Sequence, residues 1–412
     1  MRAYLDHAAT TPLLGRARDA MVAAMPTGNA SSLHAEGRAA RRRVEESREL
    51  IAASLRVTPG EVVLTSGGTE ADNLAVKGLW WARTAADPRR RRVLASRVEH
   101  HAVLEAVDWL GHQEGADVVW LDVDGAGRVD PAQLAAELGA GSGAGDVALV
   151  AVMWANNEVG TVQPIPEIAG ICAETGVPLH VDAVQALGSI EVDASLPSTT
   201  AVSAHKLGGP PGVGALIVRR GVEVVALSHG GGQERGMRSG TLNVPAAAGF
   251  AAAVDHVVAE LPSRSARLAG LRDALVAGVL ALAPDAVLNG AVGWPGERLP
   301  GNAHVSFPGC PGDALLMLLD AAGVAVSTGS ACSAGVPEPS HVLLAMGVDP
   351  ELARSSLRFS VGSTSSADDV EALLSALPGA LERARRAGLV RASTRAGSGV
   401  GTRVAAGARV GA

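Results

Sequence analysis

Short apolar runs alternate with helical patterns between residues 60 and 220, and this alternation constrains the fold more than any other feature. The apolar runs cover residues 61–65, 93–95, 117–121, 147–153, 178–182 and 214–218. Runs this continuous, most of them separated by helix-sized segments, predict strands that are buried on both faces. We therefore expect an α/β fold with a large, mostly parallel sheet that helices cover on both sides. In such sheets, ligands bind at the carboxyl ends of the strands.

The pattern changes in the second half of the chain. A long helical stretch over 245–283 is followed by short strands at 303–307 and 324–326, and by helices at 312–322 and 367–385. This mixture predicts a second, smaller α+β domain. From about residue 388 the chain is rich in Gly, Ala, Ser and Arg, a composition that buries little apolar surface, so we expect a disordered tail over 388–412.

Composition excludes several classes of protein. The net charge of −7 and the aromatic content of 2% argue against a general nucleic-acid binder or a membrane-surface protein. The N-terminus lacks the apolar core of a signal peptide, and no apolar run is long enough to span a bilayer. Cys172, Cys310 and Cys332 form neither a metal-type spacing nor a disulfide framework. We expect a reduced, cytoplasmic protein without a bound metal.

Lysine usage singles out one candidate catalytic residue. Of 35 basic residues only Lys77 and Lys206 are lysines, so arginine supplies nearly every plain positive charge. An amine can lose its proton and form a Schiff base with a carbonyl, which a guanidinium does not do. Lys206 lies between a short apolar stretch and a Gly/Pro-rich run, whereas Lys77 lies in a helical pattern and is expected to be a solvated surface residue. Lys206 is therefore the candidate.

Other candidates follow the predicted strands. The turn 66–70, Ser-Gly-Gly-Thr-Glu, joins a strand to a helix and could bind a phosphate through its backbone N–H groups and Thr69. Such junctions are common, and this one lacks the glycine spacing of a dinucleotide site, which disfavours a nicotinamide enzyme. Asp182 ends another strand and could keep a pyridine nitrogen protonated, although a helix N-cap is an equally ordinary role for it. His100 also follows a strand, where a single histidine is more often structural.

Two further residues are candidates for handling the substrate. Cys332 lies in a segment of small residues, 327–335, that would allow a nucleophilic thiolate to move. Arg358 could bind a substrate carboxylate through its guanidinium fork, or it could be a structural ion-pair arginine. Each of these features is weak alone, but their joint occurrence by chance is improbable.

The ordered set of motifs resembles the NifS/IscS-type cysteine desulfurases of the class V aminotransferase superfamily. The resemblance covers the chain from Tyr4 to about residue 385. Its motifs lie at 65–73, 99–100, 156–160, 180–185, 203–206, 229–241, 329–332 and 356–360. The Gly-Ser-Ala-Cys form of 329–332 is typical of the long-loop branch.

The resemblance implies a fold and a cofactor. The fold would be the type I fold of pyridoxal-phosphate-dependent transferases. Its large cofactor-binding domain would span 15–260, and its small α+β domain, carrying the Cys332 loop, would comprise 1–14 and 261–387. The implied cofactor-binding residues are Gly68, Thr69, His100, Asn157, Asp182, Gln185, Ser203, His205, Lys206 and Thr241.

Carried over residue by residue, the resemblance also implies individual roles. Lys206 would form the Schiff base, Asp182 would pair with the pyridine nitrogen, and Gln185 would contact the ring hydroxyl. His100 would stack on the ring and assist proton transfer. Thr241 would reach the phosphate of a neighbouring subunit, which implies a homodimer. The phosphate site would be formed by Gly68, Thr69, Ser203 and His205. Asn157 and Arg358 would bind the substrate carboxylate, and the thiol of Cys332 would accept the sulfur.

The resemblance thus predicts that the chain converts L-cysteine to L-alanine and transfers the sulfur to Cys332 as a persulfide. The sulfur would pass to an acceptor protein, an iron–sulfur scaffold or a tRNA thiolation enzyme. Within the same cofactor class, a selenocysteine or cysteine lyase that releases sulfide is the alternative. A non-catalytic sulfur-relay subunit is the alternative from a different class, and it would be expected to have lost the lysine or the phosphate site.

Overall fold

The computed structural model describes residues 2–139, 143–293, 296–329 and 338–398. The strands are β1 (Ala3–Tyr4), β2 (Val62–Thr65), β3 (Arg92–Ser96), β4 (Asp117–Leu121), β5 (Val147–Ala151), β6 (Leu179–Asp182), β7 (Thr199–Ser203), β8 (Gly214–Val218), β9 (Val287–Asn289), β10 (Asn302–Ser306), β11 (Val324–Ala325) and β12 (Ser356–Ser360). The helices are α1 (Gly15–Ala24), α2 (Ala35–Ser54), α3 (Gly68–Ala86), α4 (His101–Trp109), α5 (Pro131–Gly139), α6 (Ile165–Thr175), α7 (Val244–Ala259), α8 (Leu261–Leu282), α9 (Gly312–Ala321), α10 (His341–Ala345), α11 (Pro350–Arg354) and α12 (Ala367–Ser398).

A seven-stranded sheet forms the centre of the larger part of the molecule. Its strand order is β2-β8-β7-β6-β5-β3-β4. Only β8 runs antiparallel to its neighbours β2 and β7, and the other pairs are parallel. The predicted α/β class with a mostly parallel sheet is therefore confirmed. Strand β7 was not predicted from the sequence, because Thr199-Thr200 lacks the apolar signature of the other strands although both residues are fully buried.

Both faces of this sheet are covered, as the continuous apolar runs required. Along β3, Leu94 packs into the core beneath α2, α6 and α7, whereas Val93 and Ala95 pack against α3 and α4. This is the period-two alternation of a strand, with apolar side chains on both sides. The arrangement brings the carboxyl ends of the parallel strands to one edge, next to the start of α3.

A second core lies in the C-terminal part of the chain. Strand β10 pairs antiparallel with β9 and β12, and β1 pairs parallel with β11. Helices α8, α9 and α12 contribute to this core, and so do Ala3 and Leu5 near the N-terminus. The N-terminal residues therefore cross from this core toward the large sheet, and they pass the carboxyl ends of its strands.

The helical stretch predicted over 245–283 is two helices. Chain direction changes by 77° between α7 and α8, and Pro262 lies in the first turn of α8. Within the described ranges no single helix is long and apolar enough to cross a membrane, although α7 and α8 taken together pass that test as a bent pair.

The last helix corrects one sequence prediction. Helix α12 continues to Ser398, so the helix does not end near 385 and the stretch 388–398 is not a disordered tail. Ala, Leu and Arg are strong helix formers, and in this stretch they outweigh the glycines that suggested disorder. The remainder of the predicted tail, 399–412, lies outside the described residues.

Candidate active site

A cavity of about 420 Å³ opens at the carboxyl ends of the central strands. It brings together ten residues that the sequence analysis selected from distant parts of the chain. They are Gly68, Thr69, His100, Asn157, Asp182, Gln185, Ser203, His205, Lys206 and Arg358. Of the other two candidates, Thr241 does not line this cavity, and Cys332 lies outside the described residues.

Lys206 ends a short 3-10 turn after β7 and is held by backbone carbonyl groups. Its Nζ donates hydrogen bonds to Ala8 O at 2.6 Å and to Ala9 O at 2.9 Å. Burial, and secondarily the positive charge of Arg358, lower the pKa of Lys206 to about 8. A substantial fraction of the amine is therefore neutral near pH 7–8, the form that attacks a carbonyl. Lys77, in contrast, is half-buried over the Trp109 ring at 4.4 Å and is not the solvated residue that we predicted.

The predicted phosphate turn borders the cavity at the start of α3, where Gly68 and Thr69 line its wall. Residues Ser66 to Gly68 join β2 to α3, and the backbone N–H of Ser66 is bound by Glu70 Oε2 at 2.6 Å. A Cβ at position 68 would lie 2.8 Å from Val184 Cγ2, so only glycine leaves this space open. Gly214 approaches the same turn, and a Cβ there would lie 2.8 Å from the carbonyl carbon of Gly67. Close packing thus presents the N-terminus of α3 to the cavity.

Asp182 is a buried carboxylate at the end of β6. Its Oδ1 accepts a hydrogen bond from the N–H of Val184 at 2.8 Å, and burial raises the pKa of the carboxyl to about 6. Behind it lies a second buried acid, Asp72, whose Oδ1 is 3.2 Å from Nε2 of His180. Burial and the proximity of Asp182 raise the pKa of Asp72, so Asp72 holds its proton while Asp182 ionises. Asp182 is then the principal anion facing this side of the cavity.

His100 caps helix α4 with its ring toward the cavity. Its Nδ1 accepts a hydrogen bond from Ala102 N at 3.1 Å, which leaves Nε2 as the protonated nitrogen of the neutral ring. The ring is accessible from the cavity, yet the surrounding protein desolvates it and lowers its pKa to about 4, with a smaller contribution from Lys206. The preceding residue, Glu99, is 1% exposed and receives hydrogen bonds from Ser96 Oγ and Met153 N.

Arg358, on β12, is oriented from two directions. Its Nη1 donates to Asn157 O at 3.0 Å and its Nη2 donates to Asp6 Oδ1 at 2.9 Å, while Nε has no partner within the described residues. The backbone of Arg358 also pairs with Ser327, two residues before the Gly-Ser-Ala-Cys segment. Two of the five N–H groups of the guanidinium are therefore used to hold it in the cavity wall.

His205 and Gln185 complete the wall around Lys206. His205 Nδ1 is 3.1 Å from Thr10 Oγ1, and burial lowers its pKa to about 4. Gln185 Nε2 donates to the same Ala8 carbonyl that Lys206 uses, at 2.9 Å.

Thr241 is exposed, at the end of a glycine-rich loop over 229–241. The loop is anchored by Glu234, a fully buried carboxylate that forms a two-pronged ion pair with Arg48 and accepts a hydrogen bond from Leu64 N. Glu234 thus fixes the middle of the loop, and Thr241 at its end does not line the cavity.

The sequence analysis missed several wall residues. Asp72, in the wall, lies one helical turn after Gly68. His180, buried against Asp72 and not itself in the wall, lies on the same strand face as Asp182. Both could have been found from their spacing. His341 lines the cavity too, with Nε2 donating to Glu99 O at 3.0 Å and its ring 5.0 Å from that of His101. No sequence signal marked His341, because only the return of the chain after residue 337 brings it to this wall.

A second cavity, of about 380 Å³, lies at the opposite edge of the sheet, near Arg83 and Cys172. It lacks the converging titratable groups of the first cavity, and we do not assign the chemistry to it.

Comparison with known proteins places the chain in a family. The family model for aminotransferase class-V matches residues 3–373, so the chain belongs to that family. The IscS-like cysteine desulfurase of Mycobacterium tuberculosis is 58% identical over 393 residues, which is 95% of this chain and 99% of that protein. The resemblance to cysteine desulfurases that the motifs indicated is therefore confirmed.

Solved structures agree with this assignment. A NifS-like protein superposes with a TM-score of 0.84 at 35% identity, over 93% of this chain and all of that one. A structure described as SspA in complex with cysteine superposes with a TM-score of 0.74 at 31% identity, over 88% of this chain and 99% of that one. The type I fold is thereby confirmed, and the family is one that uses pyridoxal phosphate.

Proposed function

We propose that this chain, a cysteine desulfurase, converts L-cysteine to L-alanine with bound pyridoxal phosphate and transfers the sulfur to Cys332 as a persulfide. One observation carries the proposal. The same cavity is lined by Lys206, whose amine has a lowered pKa, by the buried acid Asp182 and by Arg358. These groups supply a Schiff-base nucleophile, a partner for a pyridinium and a carboxylate receptor.

The residues present fit the cofactor. Gly68 leaves space beside Val184 at the start of α3. Thr69, Ser203 and His205 line the same cavity and would bind the phosphate. Asp182 would hold the pyridine nitrogen in its protonated form, and Gln185 would bind the ring hydroxyl. When bound, the cofactor supplies an electron sink for the bonds at Cα and Cβ of the substrate.

The chain's own groups then position the substrate and move its protons. Arg358 and Asn157 bind the carboxylate of L-cysteine, and the guanidinium donors are the N–H groups of Nη1 and Nη2 that Asn157 O and Asp6 do not use. Lys206 Nζ takes the proton from Cα, because it is the amine with a depressed pKa in the cavity. His100, protonated on Nε2, assists by donating a hydrogen bond to the negative charge that develops.

The sulfur step consumes one thiolate and produces one persulfide. The Cys332 thiolate attacks the sulfur of the substrate, so that an S–S bond forms as the Cβ–S bond breaks. The electron pair of the broken bond remains on Cβ, which is protonated to the methyl group of alanine. The resemblance to the protein described as SspA in complex with cysteine supports L-cysteine as the substrate.

The acceptor that we propose is a second protein, an iron–sulfur scaffold or a tRNA thiolation enzyme, in the reducing cytoplasm. The IscS-type names of the relatives support this class of acceptor. A persulfide is reactive and is best passed directly to another thiol.

The decisive experiment measures alanine and protein-bound persulfide from L-cysteine in the presence of pyridoxal phosphate. We expect equimolar alanine and persulfide from the wild type and loss of both in Cys332→Ala. Cys172→Ala is the matched control, because Cys172 is buried, far from the cavity, and burial raises its pKa to about 12. Pyruvate and free sulfide that persist in Cys332→Ala would establish the lyase. Absence of turnover in the wild type, with persulfide accepted from a donor, would establish the relay subunit.

We also propose that the active unit is a homodimer in which Thr241 binds the phosphate in the partner's cavity. Thr241 is exposed at the end of a loop that Glu234 anchors, and the apolar residues Val22, Met25 and Leu33 are exposed on the same chain. Burying such residues stabilises an interface.

Mixing two inactive variants tests this arrangement. Lys206→Ala keeps Thr241, and Thr241→Ala keeps Lys206. If Thr241 acts across the interface, mixed dimers contain one complete site, and up to about half of the wild-type activity per mixed dimer returns. If Thr241 acts within its own subunit, or if the protein is a monomer by light scattering, no activity returns.

A further inference from the structure

The N-terminal turn, residues Asp6–Thr10, contacts four residues of the site, although no role has been assigned to it. Its carbonyl groups bind Lys206 and Gln185, the Asp6 carboxylate binds Arg358, and Thr10 binds His205. None of these turn residues entered the sequence analysis as a candidate.

The turn is fixed internally. Asp6 O accepts hydrogen bonds from Ala9 N at 3.1 Å and Thr10 N at 3.3 Å. The Tyr4 hydroxyl lies 2.8 Å from Thr10 O and 3.2 Å from Asp6 O, so it spans the two ends of the turn. Tyr4 is the only tyrosine of the chain, and burial raises its pKa, so it remains a donor at neutral pH.

The turn is also fixed to both parts of the molecule. On one side, Ala8 N donates to Ser360 Oγ at 2.9 Å, at the end of β12. On the other side, Thr11 N donates to His205 O at 3.0 Å, next to Lys206. The Ala8 and Ala9 carbonyl oxygens are therefore held at defined positions relative to the amine.

The two hydrogen bonds of Lys206 Nζ restrict the orientation of its amine. A neutral primary amine has two N–H donors and one lone pair, arranged tetrahedrally around nitrogen together with Cε. Ala8 O and Ala9 O take both donors. The lone pair then has one direction left, away from both carbonyl oxygens, and Lys206 lines the cavity.

We propose that the N-terminal turn is a positioning element for Lys206. The carbonyl groups of Ala8 and Ala9 bind the two N–H groups of its neutral amine, so that the lone pair faces the cavity. The same carbonyl groups receive the amine when the substrate displaces it and hold it ready to take the Cα proton. Tyr4 and Ser360 act through the turn and are positioning residues. The statement about the displaced amine rests on the proposed function, whereas the orientation of the neutral amine concerns the cofactor-free protein alone.

The test uses the two lysines of the cofactor-free protein. Reductive methylation with formaldehyde and cyanoborohydride, followed by mass spectrometry, gives the rate constants of Lys206 and Lys77 in one sample. We expect Tyr4→Phe to lower the Lys206 to Lys77 ratio about fivefold, the factor that corresponds to the loss of one ordinary hydrogen bond. The rate constant for Schiff-base formation with added pyridoxal phosphate should fall by the same factor.

Two further variants make the result specific. Ser360→Ala removes the acceptor for Ala8 N and should produce the same selective decrease, which covers the case in which Tyr4→Phe fails to fold. Thr175→Val removes a hydroxyl that bonds to carbonyl groups of α6, far from the site, and should leave the ratio unchanged.

The outcomes separate this proposal from the proposed function. An unchanged ratio in both Tyr4→Phe and Ser360→Ala, or an equal change at both lysines, overturns the positioning role. If wild-type Lys206 is methylated selectively but forms no Schiff base with pyridoxal phosphate, the proposed function fails while the orientation of the amine stands.

Discussion

At the scale of single residues, the site is a set of titratable groups whose pKa values burial has moved in opposite directions. Burial lowers the pKa of Lys206 to about 8 and that of His100 to about 4, so both lose their charge more easily. It raises the pKa of Asp182 to about 6 and that of Glu99 to about 8. Such divergence among neighbouring groups is characteristic of sites that transfer protons at neutral pH.

Glu99 allows a test of this electrostatic picture. Its folded-state pKa of about 8 lies above the ordinary value of 4.5, because the carboxyl is fully buried. Between these pH values the folded protein keeps a proton that the unfolded chain releases, so the contribution of Glu99 to stability falls as pH rises through this window. Glu99→Gln cannot ionise, and its free energy of unfolding relative to wild type should rise by roughly 3–4 kcal/mol between pH 5 and 8.

Urea unfolding of the cofactor-free proteins at pH 5, 6.5 and 8 measures this difference. Glu46→Gln, on an exposed position of α2, controls for the removal of a charge. A Glu99→Gln difference that stays constant across the pH range would show that Glu99 is ionised in the folded protein.

At the scale of elements, the site depends on how closely strands and helix starts approach. Gly214 opens β8 between Thr65 of β2 and Ser203 of β7. A Cβ at this position would lie 2.6 Å from Val202 O and 2.8 Å from the carbonyl carbon of Gly67. Both obstacles are backbone atoms, which cannot rotate away, so the strand or the phosphate turn would have to shift.

We therefore expect Gly214→Ala to destabilise the protein by roughly 2–4 kcal/mol and to weaken pyridoxal phosphate binding. Gly170→Ala is the matched control, because Gly170 lies in the middle of α6 with open space around its Cα. That change should stabilise the protein by about 0.5–1 kcal/mol, the helix propensity difference, without altering cofactor affinity. Equal effects of the two changes would mean that the close approach at Gly214 is not maintained in solution. Thermal unfolding and fluorescence titration of the cofactor give both quantities.

At the scale of the whole molecule, one long helix joins the C-terminal core to a region of unassigned role. The residues of α12 that the structure places in this core extend as far as Ala384. Truncation after residue 387 should therefore leave the thermal midpoint within about 2 °C of wild type and alanine formation unchanged. Truncation after Leu377 removes Ala380, Leu381 and Ala384 from the core and should unfold or strongly destabilise the protein.

Thermal unfolding of the two truncated proteins, beside the full chain, checks this expectation. A large loss of stability on truncation after 387 would show that the distal part of α12 packs on the molecule. A loss of sulfur transfer to acceptor proteins, with stability intact, would instead assign an acceptor-docking role to the residues beyond 387.

Much of this protein was predictable from the sequence by itself. The apolar runs predicted five of the seven strands of the central sheet with small differences in their bounds, and the short run at 93–95 indicated β3. Lys206, Asp182, His100 and Arg358 were found because local chemistry marks them: a rare lysine, polar residues just after strands, and an arginine within a family motif. Parallel topology then brings strand ends together without further information.

The tertiary structure decided the rest, since it depends on which distant segments meet. Asp6 and the carbonyl groups of Ala8 and Ala9 carry no sequence signal, yet they lie against Arg358 and Lys206 because β1 starts in the C-terminal core. Thr199 and Thr200 became a buried central strand because neighbouring strands supplied their hydrogen bonds. Residue types and the order of the strands along the chain are properties of the sequence, whereas depressed and raised pKa values arise from burial, which only the assembled fold creates.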